Sequence, residues 1–301
     1  MGKIGSSRAG GVWLFARDVF FTVLMAVLPV LVCEWAMGLG RNRYTCKYDY
    51  LQSHLEDISV LMLGNSLFEH GMPPYVFGDS AYCFAMASRS IVHDAQLAEH
   101  FVPLMPNLRV VMLPLSYNMR GAYLNGFEHK VSYDYHRYMH TRDEQFPQSL
   151  ISSSAFLSNS FTFRKCRREA CMLGLQGYLP FEGRMDRGDG GAGRYHPPHQ
   201  SGIDVTTGYL MRIAAVCHRQ GVRFVLLTPP FHDSFLAEAT PDGVANLQRM
   251  ANRVGEQHPV EYHNYIADPD FRADSLYWNW NHLNFLGAER FAQRVKADFG
   301  I

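Results

Sequence analysis

Three nearly unbroken apolar runs limit what this chain can fold into: Ile58–Leu63, Arg109–Leu115 and Val222–Leu227. Such runs lack the polar alternation of a half-exposed sheet and suit strands covered on both faces, as in a parallel sheet. Each stops abruptly, at Gly64-Asn65-Ser66, at Ser116-Tyr117-Asn118 and at Thr228-Pro229-Pro230. A shorter run, Tyr82–Ala87, ends in Ser88-Arg89-Ser90. Helical periodicity fills the intervals: Leu97 and Phe101; Leu210, Ile213 and Cys217; Val244, Leu247, Met250, Ala251 and Val254; Phe291, Val295 and Phe299. Val260, Tyr262, Asn264 and Ile266 alternate as a last, more exposed strand. The pattern predicts a doubly wound, mostly parallel α/β domain over 58–301, with ligands at the carboxyl ends of its strands.

Ahead of this domain, Val19–Leu39 reads VFFTVLMAVLPVLVCEWAMGL, interrupted mainly by Pro29 and Glu34. That is about the ~20 residues a membrane-spanning helix needs. Lys3, Arg8 and Arg17 precede it and no clean small-residue cleavage site follows, which favours an uncleaved anchor over a removed signal peptide. Arg41, Arg43 and Lys47 follow the span, so charge bias alone does not orient it. A buried helix of a soluble domain is the alternative. Residues 1–41 are therefore expected to be tail and anchor, and 42–57 a polar, aromatic-bearing linker. Hydrophobic residues at 47% and charged residues at 19% are far from a polytopic membrane protein. With a net charge of zero, no global field points to nucleic acid.

Between about 121 and 200 the alternation is lost, and the span reads as an insertion, a cap or a membrane-facing region. Its basic cluster, Arg164, Lys165, Arg167 and Arg168, suits a solvated helix face or an anionic lipid or polymer. Gly188–Gly193 matches GxGxxG, but neither a strand precedes it nor a helix follows, so a loop is expected. His136 and His140 have the spacing of helical zinc ligands, with Asp134 near, but no third ligand is evident, and neither metal nor cofactor is implied. Six cysteines are scattered without a CxxC pair. Cys166 and Cys171 could bridge in an oxidising compartment, and the scatter otherwise reads as buried free thiols.

The chemistry concentrates at the two ends of the domain. Acyl transfer needs a hydroxyl, a base beside it and a third group that orients the base. Ser66 follows an apolar strand and His282 precedes the last helix, so the chain order is serine first and histidine last. Gly64-Asn65-Ser66-Leu67-Phe68 is not a GxSxG elbow, which disfavours that class of hydrolase. Gly64-Asn65-Ser66-Leu67 resembles the first block of SGNH/GDSL-type hydrolases. Asn279-Trp280-Asn281-His282-Leu283-Asn284, with Gly287-Ala288-Glu289 after it, resembles their last block. The His-Leu-Asn and Gly-Ala pattern, with Thr228-Pro229-Pro230-Phe231-His232, is similar to membrane-anchored SGNH-like proteins of cell-surface polysaccharide O-acylation.

The resemblance implies a flavodoxin-like SGNH sheet, Ser66 as nucleophile and His282 as general base. It places the oxyanion donors at the Ser66 N–H, near Ser88, and at Asn118. It further implies an extracytoplasmic domain, a surface polysaccharide or small acyl ester as substrate, and a multipass acyl-donor partner. One position departs from the pattern: Asn279 stands where an aspartate is usual. An amide oxygen can accept from an imidazole N–H but cannot offset an imidazolium charge. Either activity is modest, or another carboxylate such as Asp274 substitutes, or the site only binds. A lipid or small-ester hydrolase and a non-catalytic polysaccharide-binding protein are the alternatives.

Overall fold

A computed structural model describes residues 6–38, 42–117, 134–141, 154, 176–185 and 200–301. In chain order the elements are α1 (Ser6–Gly38), α2 (Arg43–Ser53), β1 (Val60–Met62), α3 (Ser66–Glu69), β2 (Ala81–Cys83), α4 (Ile91–Phe101) and β3 (Val110–Pro114). They continue with α5 (Gln200–Arg219), β4 (Arg223–Thr228), α6 (Asp233–Leu236), α7 (Pro241–Gly255), β5 (Glu261–Asn264), β6 (Tyr277–Asn279), β7 (His282–Leu283) and α8 (Phe285–Phe299).

The apolar runs form the middle of a five-stranded sheet in the order β2-β1-β3-β4-β5, with every pair parallel. This is the flavodoxin-like order, and the chain reverses its winding between β1 and β3. β1 and β3 are buried along their whole length because each face of the sheet has its own core. On one face Leu61, Val111, Phe224 and Leu226 pack with α4, α5 and α7 through Phe101, Leu210, Ile213 and Leu247. On the other, Val60, Met62, Met112 and Val225 meet Phe291, Val295 and Phe299 of α8. The period of two along each strand thus sorts neighbouring residues into separate cores. The Ser66 turn leaves β1 beside the winding reversal, where such sheets open a crevice.

Helix α1 contains one stretch long and apolar enough to cross a membrane, Gly11–Ala36, with a mean hydropathy of 2.2 and none of it buried. The apolar helix therefore begins before Val19, and Pro29 lies inside it.

The expected linker is instead helix α2. Asn42 caps it through a reciprocal pair with Thr45, at 3.0 Å and 2.8 Å. Its inner face buries Cys46, Lys47 and Leu51, so its polar composition disguises a packed element. Cys46 also departs from the free-thiol expectation. It is disulfide-bonded, with a partner outside the described residues, whereas Cys33, Cys83 and Cys217 are free. The Cys166–Cys171 bridge, the basic cluster, Gly188–Gly193 and Asn118 lie outside the described residues. His136 and His140 do not share a helix face: the helical turn ends at 138, and His140 has a left-handed φ of +55°.

Candidate active site

Ser66 is the first residue of α3, and its geometry begins with Gly64. Gly64 has φ +110°, and a Cβ there would overlap Pro114 of β3. Only glycine lets the β1 exit pass this close to its neighbour. The Gly64 N–H donates to Asp94 Oδ1 at 2.9 Å, and Asp94 pairs with buried Arg89 at 3.1 Å. Arg89 in turn lies over the Phe84 ring, 4.8 Å from its centroid. Asn65 caps α3 by accepting from the Leu67 N–H at 3.0 Å, and Ser66 follows as the first residue of the helix.

His282 arrives from the opposite end of the chain on the short antiparallel β6–β7 hairpin. Its Nε2 lies 2.8 Å from Ser66 Oγ, and its Nδ1 lies 3.1 Å from Asn279 Oδ1. The same Asn279 oxygen accepts the backbone N–H groups of Asn281 and His282, at 3.0 Å and 2.9 Å. These two donors decide the amide's orientation, since a flipped NH₂ would face them. An oxygen then faces Nδ1, so Nδ1 carries the proton and Nε2 presents a lone pair to the Ser66 hydroxyl. The tautomer is the one a general base requires. Burial, with His70 nearby, lowers the His282 pKa to about 3, so the imidazole rests neutral.

Asp274 does not substitute for Asn279. It accepts from His232 Nε2 at 3.1 Å, because His232 Nδ1 is occupied by the Ser234 N–H that it caps. His232 of the Thr-Pro-Pro-Phe-His stretch is thus the N-cap of α6. Asn284 likewise caps α8 through the Gly287 N–H at 3.0 Å, and Gly287 leaves no room for a Cβ against Leu276 O. Those parts of the last block build the hairpin–helix junction rather than the reacting centre.

Ser88 sits in the loop after β2 with a left-handed φ of +61°, costly for a residue with a side chain. Among the described residues, the backbone N–H groups of Ser66 and Ser88 have no acceptor. This fits them to receive a developing oxyanion. Several site residues carry no motif. Phe181 stacks on His70 at 3.8 Å and on Trp278 at 4.0 Å, and meets the His282 ring edge-on at 5.5 Å. The Glu69 carboxylate, fully buried, binds the Ala87 N–H at 2.7 Å and approaches Lys47 Nζ and Arg43 Nη1, at 3.3 Å and 3.5 Å. The only sequence hint was a carboxylate in the first turn of a helix, which ordinarily reads as a partner of the helix dipole.

Neither a family model nor a curated protein matches the chain. Solved structures resemble it distantly. A Streptococcus pneumonia protein provisionally described as a platelet activating factor is 11% identical with a TM-score of 0.44, over 93% of this chain and 98% of its own. A GDSL-like lipase from Bacteroides thetaiotaomicron is 11% identical with a TM-score of 0.39, over 85% and 99%. A catalytic mutant of an acetylxylan esterase from Geobacillus stearothermophilus is 9% identical with a TM-score of 0.40, over 82% and 95%. Likenesses this shallow decide nothing about the reaction.

Proposed function

We propose that this chain is an SGNH-type serine esterase or acyltransferase, tethered by α1, that acts on O-acyl groups of a surface polysaccharide. One observation carries the acyl-transfer reading: the hydrogen-bonded chain Ser66 Oγ–His282 Nε2, His282 Nδ1–Asn279 Oδ1, at the carboxyl edge of a parallel sheet. In this mechanism Ser66 Oγ attacks the ester carbonyl while its proton passes to His282 Nε2. The Ser66 and Ser88 N–H groups hold the oxyanion. Its collapse expels the alcohol, which takes the proton back from Nε2, and leaves an acyl-serine. Water or an acceptor hydroxyl, deprotonated by Nε2, then releases the acyl group. The polysaccharide, the transferase option and a multipass acyl donor are supported by the motif resemblance and by a membrane-length helix ahead of the domain.

Asn279 bears on the rate. In the serine-protease template, replacing the orienting aspartate by asparagine costs about 10⁴ in kcat because the histidine adopts the wrong tautomer. Here two backbone N–H groups aim the amide oxygen at Nδ1, so the right tautomer survives. Only the electrostatic share of the loss applies.

A fluorophosphonate probe on the full-length protein tests the reading. The expected result is one adduct, on Ser66, with Ser66→Ala lowering p-nitrophenyl acetate hydrolysis to background. An unlabelled Ser66 would favour a binding protein, and full activity in Ser66→Ala would exclude this nucleophile. Glycan O-acyl content with and without the protein tests the substrate.

A further inference from the structure

The proposed mechanism gives no task to the buried charges around Glu69. Glu69 follows Ser66 on the same turn of helix, and both of its carboxylate oxygens are engaged. Oε2 accepts the Ala87 N–H at 2.7 Å, while Oε1 faces Lys47 Nζ at 3.3 Å and Arg43 Nη1 at 3.5 Å. Lys47 also donates to the Ala85 carbonyl. Two alternate groups of one loop, Ala85 C=O and Ala87 N–H, are therefore held by a single buried ion pair. The loop is also held by backbone bonds, from Met86 N–H to Gly64 O at 3.0 Å and from Arg89 N–H to Met86 O at 3.1 Å, and at its far end by the Arg89 side chain, which donates to Asp94 at 3.1 Å. Ser88, next in sequence, has the unfavourable φ of +61°. A residue there stays left-handed only if its surroundings overdetermine it.

We infer that Glu69 is a positioning residue: paired with Lys47 of α2, it fixes the loop 85–89 so that the Ser88 N–H points at the oxyanion formed on Ser66. The ion pair joins three separate elements, α2, α3 and the β2 exit. Isolated surface pairs add little, but a buried carboxylate that both neutralises a cation and accepts a backbone N–H fixes direction as well as distance. The pair also makes α2, the first helix after α1, part of the support of the reacting centre. This inference rests on Ser66 being the nucleophile.

The test uses the full-length protein in detergent and the double variant Glu69→Gln/Lys47→Met, which removes both charges of the pair and takes the Glu69 contact only from Arg43, whose side chain is 28% exposed. An exposed pair at the far edge of the sheet, Arg223→Gln/Glu261→Gln, serves as control. For the Glu69/Lys47 variant, kcat on p-nitrophenyl acetate is expected to fall about 10²–10³-fold, the effect of losing one oxyanion donor, with KM changed less than about threefold. Amide exchange at Ala87 should accelerate at least tenfold, a readout independent of catalysis. The control should leave both unchanged. Unchanged kcat together with unchanged Ala87 protection would overturn the inference, as would a rise in KM alone. Should Ser66→Ala keep full activity, the nucleophile reading fails instead. Ala87 exchange still separates the two failures.

Discussion

At the scale of single residues the decisive position is Asn279. Its oxygen serves three donors, and two of them are peptide N–H groups that would hold a carboxylate oxygen equally well. Asn279→Asp should therefore fold as before and add only a charge. A hydrogen bond to a charged partner contributes about 1–2 kcal/mol more than a neutral one, which converts to roughly 5- to 30-fold in kcat. The pH profile should move with it. The wild-type base, with a pKa of about 3, is free at all but strongly acidic pH, so kcat/KM should stay flat down to about pH 4. A carboxylate at 279 raises that pKa toward the ordinary histidine value of about 6.5, and the acid limb should appear between about pH 5 and 7. A variant with unchanged rate and unchanged profile would show that His282 is not the base. This part of the site was legible in the sequence because orienter and base share one hairpin. Residues such as Phe181, His70 and Glu69 were not, since their partners lie far away along the chain and no periodicity marks them.

At the scale of elements, the central strands were legible because burial on both faces leaves an unbroken apolar run. Helices α5, α7 and α8 showed themselves through one buried stripe each. Helix α2 did not, because its buried face includes Lys47, whose partner Glu69 is invisible to any local pattern. Asp274 misled for a related reason: a carboxylate close to His282 in sequence faces His232 in space. The turn between β1 and α3 combines both kinds of information. The sequence marks Gly64 as the end of an apolar run, and the structure shows what its missing side chain admits: the Pro114 ring. Gly64→Ala should combine positive-φ strain with overpacking against β3, for a loss of about 2–4 kcal/mol in a denaturant titration. Nucleophile reactivity should fall further than stability alone predicts, because the Gly64 N–H that anchors to Asp94 moves with the turn. An unchanged denaturation midpoint would mean that β1 and β3 can separate at this point at little cost.

For the whole molecule, the buried histidines link the site to folding. His93 stacks on Tyr135 at 4.1 Å, and its Nδ1 lies 2.9 Å from Thr141 Oγ1. Burial, with Arg89 beside it, lowers its pKa to about 3. His282 and His70 are lowered too, each chiefly by burial. A histidine with a depressed native pKa binds its proton more readily in the unfolded chain. Its contribution to stability is therefore complete above the unfolded value of about 6.5 and is lost as pH falls toward the native value. Each such group adds a slope of up to about 1.4 kcal/mol per pH unit. Of the buried carboxylates, the lowered pKa of Glu69 acts in the same direction and the raised pKa of Asp94 opposes it. From about pH 6.5 to 5 the histidines take up their protons in the unfolded chain. Urea titrations of the detergent-solubilised protein at pH 7.5, 6.0 and 5.0 should show stability falling steadily across that window. His93→Gln keeps a hydrogen-bonding group toward Thr141 but cannot take up the proton, so it should flatten the slope by one histidine's share while leaving fluorophosphonate labelling of Ser66 intact. Equal stability at pH 7.5 and 5.0 would mean that these imidazoles reach water in the native protein, and the neutral resting state assigned to His282 would fall with them.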